Sequence, residues 1–181
     1  HSPGLRWRLD TLNKMLGSLR RANFGFVFAR PETGKTTFFA SEATFMAEQL
    51  QEQGEDGVIL WVNNEEDGKV VMSRCYQGCL GISTHELYQN IAANKDNVIR
   101  RTGGRIRLLD DANANRRQID ALCKKLRPRL ILLDQIDKIR GFEADRYDLK
   151  MKDIYQWARE LAKTYGPTIG TCQAGGTGEG K

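Results

Sequence analysis

The sequence predicts an α/β protein of three layers, α/β/α, with helices on both faces of a mostly parallel central sheet. Short apolar runs alternate along the chain with longer segments of helical periodicity, which is the order that a parallel sheet requires. The runs at 58–62 and 130–133 are continuously apolar, as is typical of strands buried on both faces. Polar and charged residues follow several of these runs directly, at the position where parallel sheets gather their ligands.

The individual elements are predicted from periodicity and from residues that begin or end helices. Apolar residues at three- and four-residue steps between 9 and 19 indicate a short amphipathic helix before the first strand. Ser83 and Glu86 have the spacing of a capping box and begin a helix that continues through Ile91, while Asn115 caps another. The predicted strands are 24–29, 58–62, 105–109, 130–134 and 167–172. Another helix runs through Val70 and Cys75 and is closed by Gly78 and Gly81. The remaining helices cover 35 to about 53 and 148 to about 164, the last with Leu149 and Trp157 on its buried side.

Length and composition predict one globular domain in the cytoplasm. The chain has 181 residues, of which 40% are hydrophobic and 28% are charged. It contains no run of 18 apolar residues and no signal-like leader, so we expect no contact with a membrane. A net charge of +5 is compatible with a nucleic-acid partner but does not demonstrate one. The cysteines lack the paired spacing of a zinc site and are expected to be reduced core residues: Cys75, Cys79, Cys123 and Cys172.

The segment 29–36 has the pattern of a phosphate-binding P-loop, because it connects the strand at 24–29 to a long helix. In this context, backbone N–H groups of the loop and of the helix start converge on a phosphate. Lys35 would reach the β- and γ-phosphates of ATP, and the hydroxyl of Thr36 would ligate Mg²⁺. The alternative is a surface turn before a helix. The candidate nucleotide-binding residues are Ala29, Arg30, Pro31, Glu32, Thr33, Gly34, Lys35, Thr36 and Thr37.

Three further strand ends carry groups that hydrolysis of a nucleoside triphosphate needs. Asp134 follows four apolar residues and could hold Mg²⁺ together with Thr36. Glu65 could take a proton from the attacking water, although its neighbour Glu66 is an equally available base. Gln173 could orient or sense the γ-phosphate. Each residue also has a plainer interpretation, as a turn cap, part of an acidic loop or a polar residue that leaves a strand.

The run Ala-Arg-Pro-x-x-Gly-Lys-Thr at 29–36 resembles the P-loop variant of DnaB-type replicative helicases, which belong to the RecA-like ATPases. The resemblance accounts for Ala29, where most P-loops begin with Gly. It extends over about residues 5–173, where Val58–Glu65 resembles the strand and catalytic loop of the family and Leu130–Asp134 resembles its Walker B strand. The helix around 158–163, followed by a strand that ends at Gln173, resembles the segment that senses the γ-phosphate.

The resemblance implies a RecA-like P-loop NTPase fold and a Mg²⁺-dependent ATPase, the motor core of a replicative DNA helicase that translocates on single-stranded DNA. Lys35, Glu65 and Gln173 take the family's catalytic positions, and Thr36 and Asp134 its metal positions. It also implies a hexameric ring and the cytoplasm of a bacterial or phage-infected cell, with a phage as a suitable source. A RecA-type recombinase or repair ATPase and a nucleotide-switched assembly module with little turnover are the alternatives.

The resemblance divides the chain into a lead-in helix at 1–22, an ATPase core at 23–173 and a flexible glycine-rich tail at 174–181. The family's later strands, its DNA-contacting loop and its arginine finger are expected beyond this point, so we expect a C-terminally truncated chain with slow turnover. Glu32 places a carboxylate in the phosphate loop and is expected to point outward. The candidate DNA contacts lie in the polar segment after 134, which could equally be a solvated charged face: Lys138, Arg140, Arg146, Lys150 and Lys152.

Overall fold

The computed structural model describes residues 4–30 and 34–173, and these form a three-layer α/β/α sandwich. Its five described strands are all parallel and lie in the order β1-β5-β4-β2-β3. The elements are α1 Asp10–Leu16, β1 Phe24–Ala29, α2 Lys35–Glu52, β2 Ile59–Asn63, α3 Gly68–Leu80, α4 Thr84–Gln89, α5 Ile91–Thr102, β3 Ile106–Asp110, α6 Arg116–Leu126, β4 Leu130–Asp134, a short 3-10 helix Ile136–Lys138, α7 Tyr147–Thr164 and β5 Thr168–Gln173.

The continuously apolar strands supply two separate cores, one on each face of the sheet. In β2, Ile59 and Trp61 pack on the face covered by α2 and α3, whereas Leu60 and Val62 pack on the face covered by α6 and α7. The indole of Trp61 is fully buried and lies edge-on to Phe39 of α2, with ring centroids 5.9 Å apart. Because both faces are covered, the strand shows no alternation of apolar and polar residues.

The helices agree with the periodicity except in two places. The helix predicted from Ser83 through Ile91 is two helices, α4 and α5, because Asn90 between them leaves the helical conformation (φ −148°, ψ 62°). Leu149 in the first turn of α7 is 45% exposed, so its prediction as a buried residue is wrong, whereas Trp157 is buried as predicted. The caps are confirmed, since the side chains of Ser83 and Asn115 accept hydrogen bonds from helix N–H groups.

The N-terminal segment is held against α2 by two buried polar side chains. Gln49 accepts a hydrogen bond from the N–H of Arg6 (2.8 Å) and donates one to its carbonyl (2.7 Å). Glu42 accepts from the N–H groups of Arg8 (2.6 Å) and Leu9 (3.2 Å). Helix α1 is therefore shorter than the predicted lead-in at 1–22, because the residues before it run extended along α2.

Some predictions fall on residues outside the described ranges. These are the phosphate-loop residues Pro31, Glu32 and Thr33, with the outward orientation of Glu32, and the tail at 174–181. Within the described residues, no helix is long and apolar enough to cross a membrane. The four cysteines are free and buried, as predicted, and burial raises the pKa of Cys75 to about 12.

Candidate nucleotide site

The carboxyl ends of β1, β2, β4 and β5 bring the predicted site residues to one edge of the sheet. In the strand register Ala29 lies beside Gln173, and Asn63 lies beside Asp134. A cavity of about 540 Å³ opens at this edge, within the size range of small-molecule sites. It is lined by Ala29, Arg30, Gly34, Lys35, Thr36, Thr37, Glu65, Glu66, Val70, Arg74 and Gln173.

The described part of the phosphate loop has the geometry that the sequence requires. Gly34 adopts the left-handed conformation (φ 83°) directly before α2, which a residue with a side chain adopts only at a cost. The first N–H groups of a helix have no partner within it, and here they belong to cavity-lining residues of α2. This end of the helix also carries the positive end of its dipole, so it is suited to an anion.

Lys35 lies at the centre of the site and contacts two carboxylates. Its Nζ is 2.6 Å from Oε2 of Glu65 and 2.9 Å from Oδ1 of Asp134. The other oxygen of Glu65 accepts a hydrogen bond from Nε2 of Gln173 (3.2 Å). Four residues that are far apart in the chain are therefore joined in one network of charge-assisted contacts.

The network keeps both partners of the main ion pair charged. Burial lowers the pKa of Lys35, but hydrogen bonds and charges from Glu65 and Asp134 outweigh it, so that the pKa lies above its ordinary value. Burial raises the pKa of Glu65, but Lys35 and Lys138 outweigh that effect, so that the pKa lies below its ordinary value. Both side chains are therefore ionised at neutral pH, and their contact weakens as the pH falls through the lowered pKa of Glu65 or rises through the raised pKa of Lys35.

Asp134 is fully buried at the end of β4, and its two oxygens have different surroundings. Oδ1 accepts a hydrogen bond from the hydroxyl of Thr171 (2.8 Å) as well as contacting Lys35. Oδ2 is buried and has no hydrogen-bond partner among the described residues. A buried carboxylate oxygen without a partner is costly, so this atom is suited to an additional positively charged ligand.

The loop between β2 and α3 distinguishes the two candidate bases by their contacts. Glu65 points its carboxylate at Lys35 and Gln173, whereas the backbone of Glu66 is held by Asn63, which donates to its carbonyl (2.6 Å) and accepts from its N–H (3.2 Å). Both residues line the cavity. Of the two, Glu65 is the one that belongs to the network around Lys35.

Two supporting residues are not anticipated by the sequence pattern. Thr171 donates to Asp134 from the neighbouring strand. The sequence indicates this role only in that Thr171 lies two residues before Gln173 on the same strand. Asn64 holds the backbone of Gln135, accepting from its N–H (2.6 Å) and donating to its carbonyl (3.0 Å), which ties the loop after β2 to the end of β4. Neither role can be assigned without knowing that β2, β4 and β5 are neighbours.

The candidate DNA contacts have different surroundings. Nζ of Lys138 lies 3.9 Å from Oε1 of Glu65, which places this lysine beside the nucleotide cavity. Arg146 is highly exposed and pairs with Asp148 (2.9 Å), and the backbone of Arg140 bridges to Asn115. Lys150 and Lys152 follow in α7. A contact of any of these residues with DNA stays a prediction.

The parallel sheet, the Gly-Lys-Thr start of α2 and the acidic strand ends define a P-loop NTPase fold. The model of the AAA domain family matches residues 3–174, and the chain belongs to this family. No curated protein sequence matches the chain.

Two solved structures have a similar fold. One is a DnaB-like replicative helicase, described together with its interactions with primase, which matches with a TM-score of 0.77 and 18% identity over 94% of this chain and 43% of its own. The other is described as an ATPase domain, with the same score and identity over 94% of this chain and 63% of its own. The chain thus spans less than two thirds of either. The predicted RecA-like fold, resembling DnaB-type ATPase domains, is confirmed.

Proposed function

We propose that the chain is the Mg²⁺-dependent ATP-hydrolysing core of a replicative-helicase-type motor. The observation that carries the proposal is the network in which Lys35 joins Glu65 and Asp134 at the mouth of the cavity, with Gln173 on the far side of Glu65. Phosphoryl transfer needs a phosphate-binding cation, a base, a metal-holding carboxylate and a polar group near the γ-phosphate. This cavity provides candidates for all four.

The reaction is ATP + H₂O → ADP + phosphate. The water oxygen forms a bond to the γ-phosphorus as the bond to the β–γ bridging oxygen breaks, and the proton of the water passes to Glu65. Lys35 exchanges its carboxylate contacts for the β- and γ-phosphates, while Gln173 stays hydrogen-bonded to Glu65 or turns to the γ-phosphate. We expect the phosphates to lie against Ala29, Arg30, Gly34 and the first residues of α2, Lys35 to Thr37. The predicted contacts of Pro31, Glu32 and Thr33 fall outside the described residues.

Asp134 and Thr36 are the residues that would hold Mg²⁺. The unpartnered buried oxygen of Asp134 and the hydroxyl of Thr36 are both oxygen ligands, which this cation prefers. When bound, Mg²⁺ neutralises charge that develops on the β- and γ-phosphates. Because Asp134 is fully buried, its carboxylate is held in one place and would hold the cation there.

The expected partner, assembly and location follow from the proposal that the chain is part of a helicase motor. Single-stranded DNA is the partner that we expect, in a homo-oligomeric ring within the cytoplasm of a bacterial or phage-infected cell. An arginine supplied by a neighbouring subunit contributes on the order of 10³–10⁵ in rate in related chemistry. Because the isolated chain has no neighbouring subunit to supply such an arginine, we expect it to bind ATP and to hydrolyse it slowly.

The proposal is tested by binding and turnover together. Calorimetry on the 181-residue chain should show ATP binding that weakens when EDTA removes Mg²⁺, with turnover well below one per second. Fast turnover by the isolated chain would contradict the need for a neighbour, and no ATP binding would contradict the proposal itself.

A second experiment separates the helicase from its alternatives. In the full-length protein, stimulation of ATP hydrolysis by single-stranded DNA with unwinding of a forked substrate supports the helicase. Stimulation without unwinding supports the recombinase, and no response supports the switch.

Thr171→Val should weaken Mg²⁺-ATP binding through Asp134. The change keeps the shape of the side chain but removes the hydroxyl that donates to Oδ1 of Asp134 (2.8 Å), which costs about 1–3 kcal/mol of folding stability. Because Asp134 is then less well fixed, we expect the affinity for Mg²⁺-ATP to fall several-fold. Urea unfolding and calorimetry measure the two effects.

Thr168→Val is the matched control, since Thr168 is buried in the same strand but donates to the carbonyl of Gly166 at the opposite end (3.1 Å). It should lower stability without changing nucleotide affinity. Equal loss of affinity in both variants would show that Thr171 acts only through overall stability.

A further inference from the structure

The edge of the sheet opposite the nucleotide cavity carries a concentration of positive charge. Three segments lead into the adjacent strands β1, β5 and β4, namely 17–23, 161–167 and 123–129. They contain seven cations and no carboxylate, a formal charge of +7 against +5 for the whole chain, so the rest of the sequence carries −2. We call these residues the basic edge: Arg20, Arg21, Lys124, Lys125, Arg127, Arg129 and Lys163.

Three of its four arginines line one cavity, and the fourth lies over the ring of a tyrosine that lines it. Arg20, Arg21 and Arg129 line a cavity of about 480 Å³ together with Tyr165 and the backbone that follows it. The guanidinium of Arg127 lies 6.0 Å from the centre of the Tyr165 ring. The basic edge therefore has a concave centre, formed by loops from three neighbouring strands, and not only scattered surface charges.

Most of this charge has no neutralising partner among the described residues. Arg129 pairs with Glu55 (2.6 Å), and Lys163 pairs with Glu160 (3.6 Å) in an exposed contact of little strength. Within residues 4–30 and 34–173, no carboxylate lies within 4.0 Å of the charged nitrogens of the remaining five. Those five are all exposed: Arg20, Arg21, Lys124, Lys125 and Arg127.

Helix stability explains only part of the pattern. Lys124, Lys125 and Lys163 lie in the last turns of α6 and α7, where a cation interacts favourably with the helix dipole. Arg20, Arg21 and Arg129 lie beyond the helices, in connections that precede strands, and gain no such stabilisation, whereas Arg127 is the C-cap residue of α6. A cluster of like charges raises the energy of the folded chain, so an external anion is the natural partner.

We propose that the basic edge binds the phosphodiester backbone of a nucleic acid. The planar guanidinium group matches the geometry of a phosphate, and one arginine can donate two parallel hydrogen bonds to two oxygens of the same phosphate. Strands lie about 4.8 Å apart, so the loops before β1 and β4 are roughly 10 Å apart, enough to reach two or three successive phosphates. The basic edge lies about 20 Å from the nucleotide cavity, the length of a six-residue strand, so a bound strand leaves ATP free to bind. The proposal does not depend on the ATPase mechanism.

The test neutralises three exposed arginines at once in the 181-residue chain, with the variant Arg20→Gln/Arg21→Gln/Arg127→Gln. Fluorescence anisotropy measures binding to labelled single-stranded and duplex oligonucleotides across a series of salt concentrations. The Kd should rise by about tenfold or more at about 0.1 M salt, and the slope of log Kd against log salt should fall by roughly two for single strands or three for duplex. The oligonucleotide, single-stranded or duplex, whose Kd rises more in the variant identifies the form of nucleic acid that the basic edge binds.

The control removes the same charge elsewhere, with Lys69→Gln/Lys95→Gln/Arg117→Gln, three exposed cations outside the basic edge. If only overall charge mattered, both variants would lose affinity equally, and that result would overturn the proposal. Unchanged binding by the arginine variant would overturn it as well. So would displacement of the oligonucleotide by polyglutamate at equal charge concentration, because this would indicate an acidic protein as the partner. Circular dichroism and ATP binding of each variant establish that the fold and the nucleotide site are intact.

Discussion

Lys35→Ala should abolish measurable ATP binding and turnover. Charge-assisted hydrogen bonds contribute about 1.5–3 kcal/mol each, so the loss of contacts to two phosphates lowers affinity by roughly 10²–10⁴-fold. Calorimetry with ATP and ADP measures the loss directly. Lys95→Ala, an exposed lysine on α5, should bind both nucleotides normally.

The same substitution should also destabilise the fold, which must be separated from its effect on binding. Without Lys35, the fully buried carboxylate of Asp134 loses its cation and faces the charge of Glu65 nearby. An uncompensated buried charge costs about 3–5 kcal/mol. Lys35→Ala/Asp134→Asn removes that charge and should recover much of the stability while ATP binding remains absent. If nucleotide binding returned together with stability, Lys35 would not be the phosphate-binding cation.

Glu65→Gln should reduce turnover by about 10²–10⁴-fold while nucleotide binding is kept or strengthened. The amide cannot accept the proton of the attacking water, which removes general base catalysis. Binding is kept because Lys35 loses a competing carboxylate at 2.6 Å and is freer to contact phosphate. Steady-state turnover and calorimetry on the same preparation separate the two effects.

Glu66→Gln is the informative comparison, because its backbone is held by Asn63 and its carboxylate lies outside the Lys35 network. It should lose less than about tenfold in turnover. If Glu66→Gln proved the more damaging change, the two residues would have to exchange roles.

The sequence predicts the site best where the chemistry is local. The strand, Gly34 in a left-handed conformation and the helix that begins at Lys35 are adjacent in the chain, so residue type and order specify them together. The basic edge is not predictable in this way, because its arginines are separated by about a hundred residues and only parallel pairing of β1, β5 and β4 brings them together.

The sequence by itself determined the α/β class, most element boundaries and the P-loop pattern. It also determined Lys35, Asp134 and Gln173 as candidate site residues, together with an acidic pair, Glu65 and Glu66, between which it did not choose. Periodicity and strand-end chemistry are short-range properties, and they can be recognised without knowledge of the fold. Tertiary structure alone decided which of Glu65 and Glu66 contacts Lys35, that Thr171 donates to Asp134, and that Lys138 lies beside Glu65. These facts depend on the strand order and on side-chain distances of a few ångströms, which no pattern along a single chain encodes.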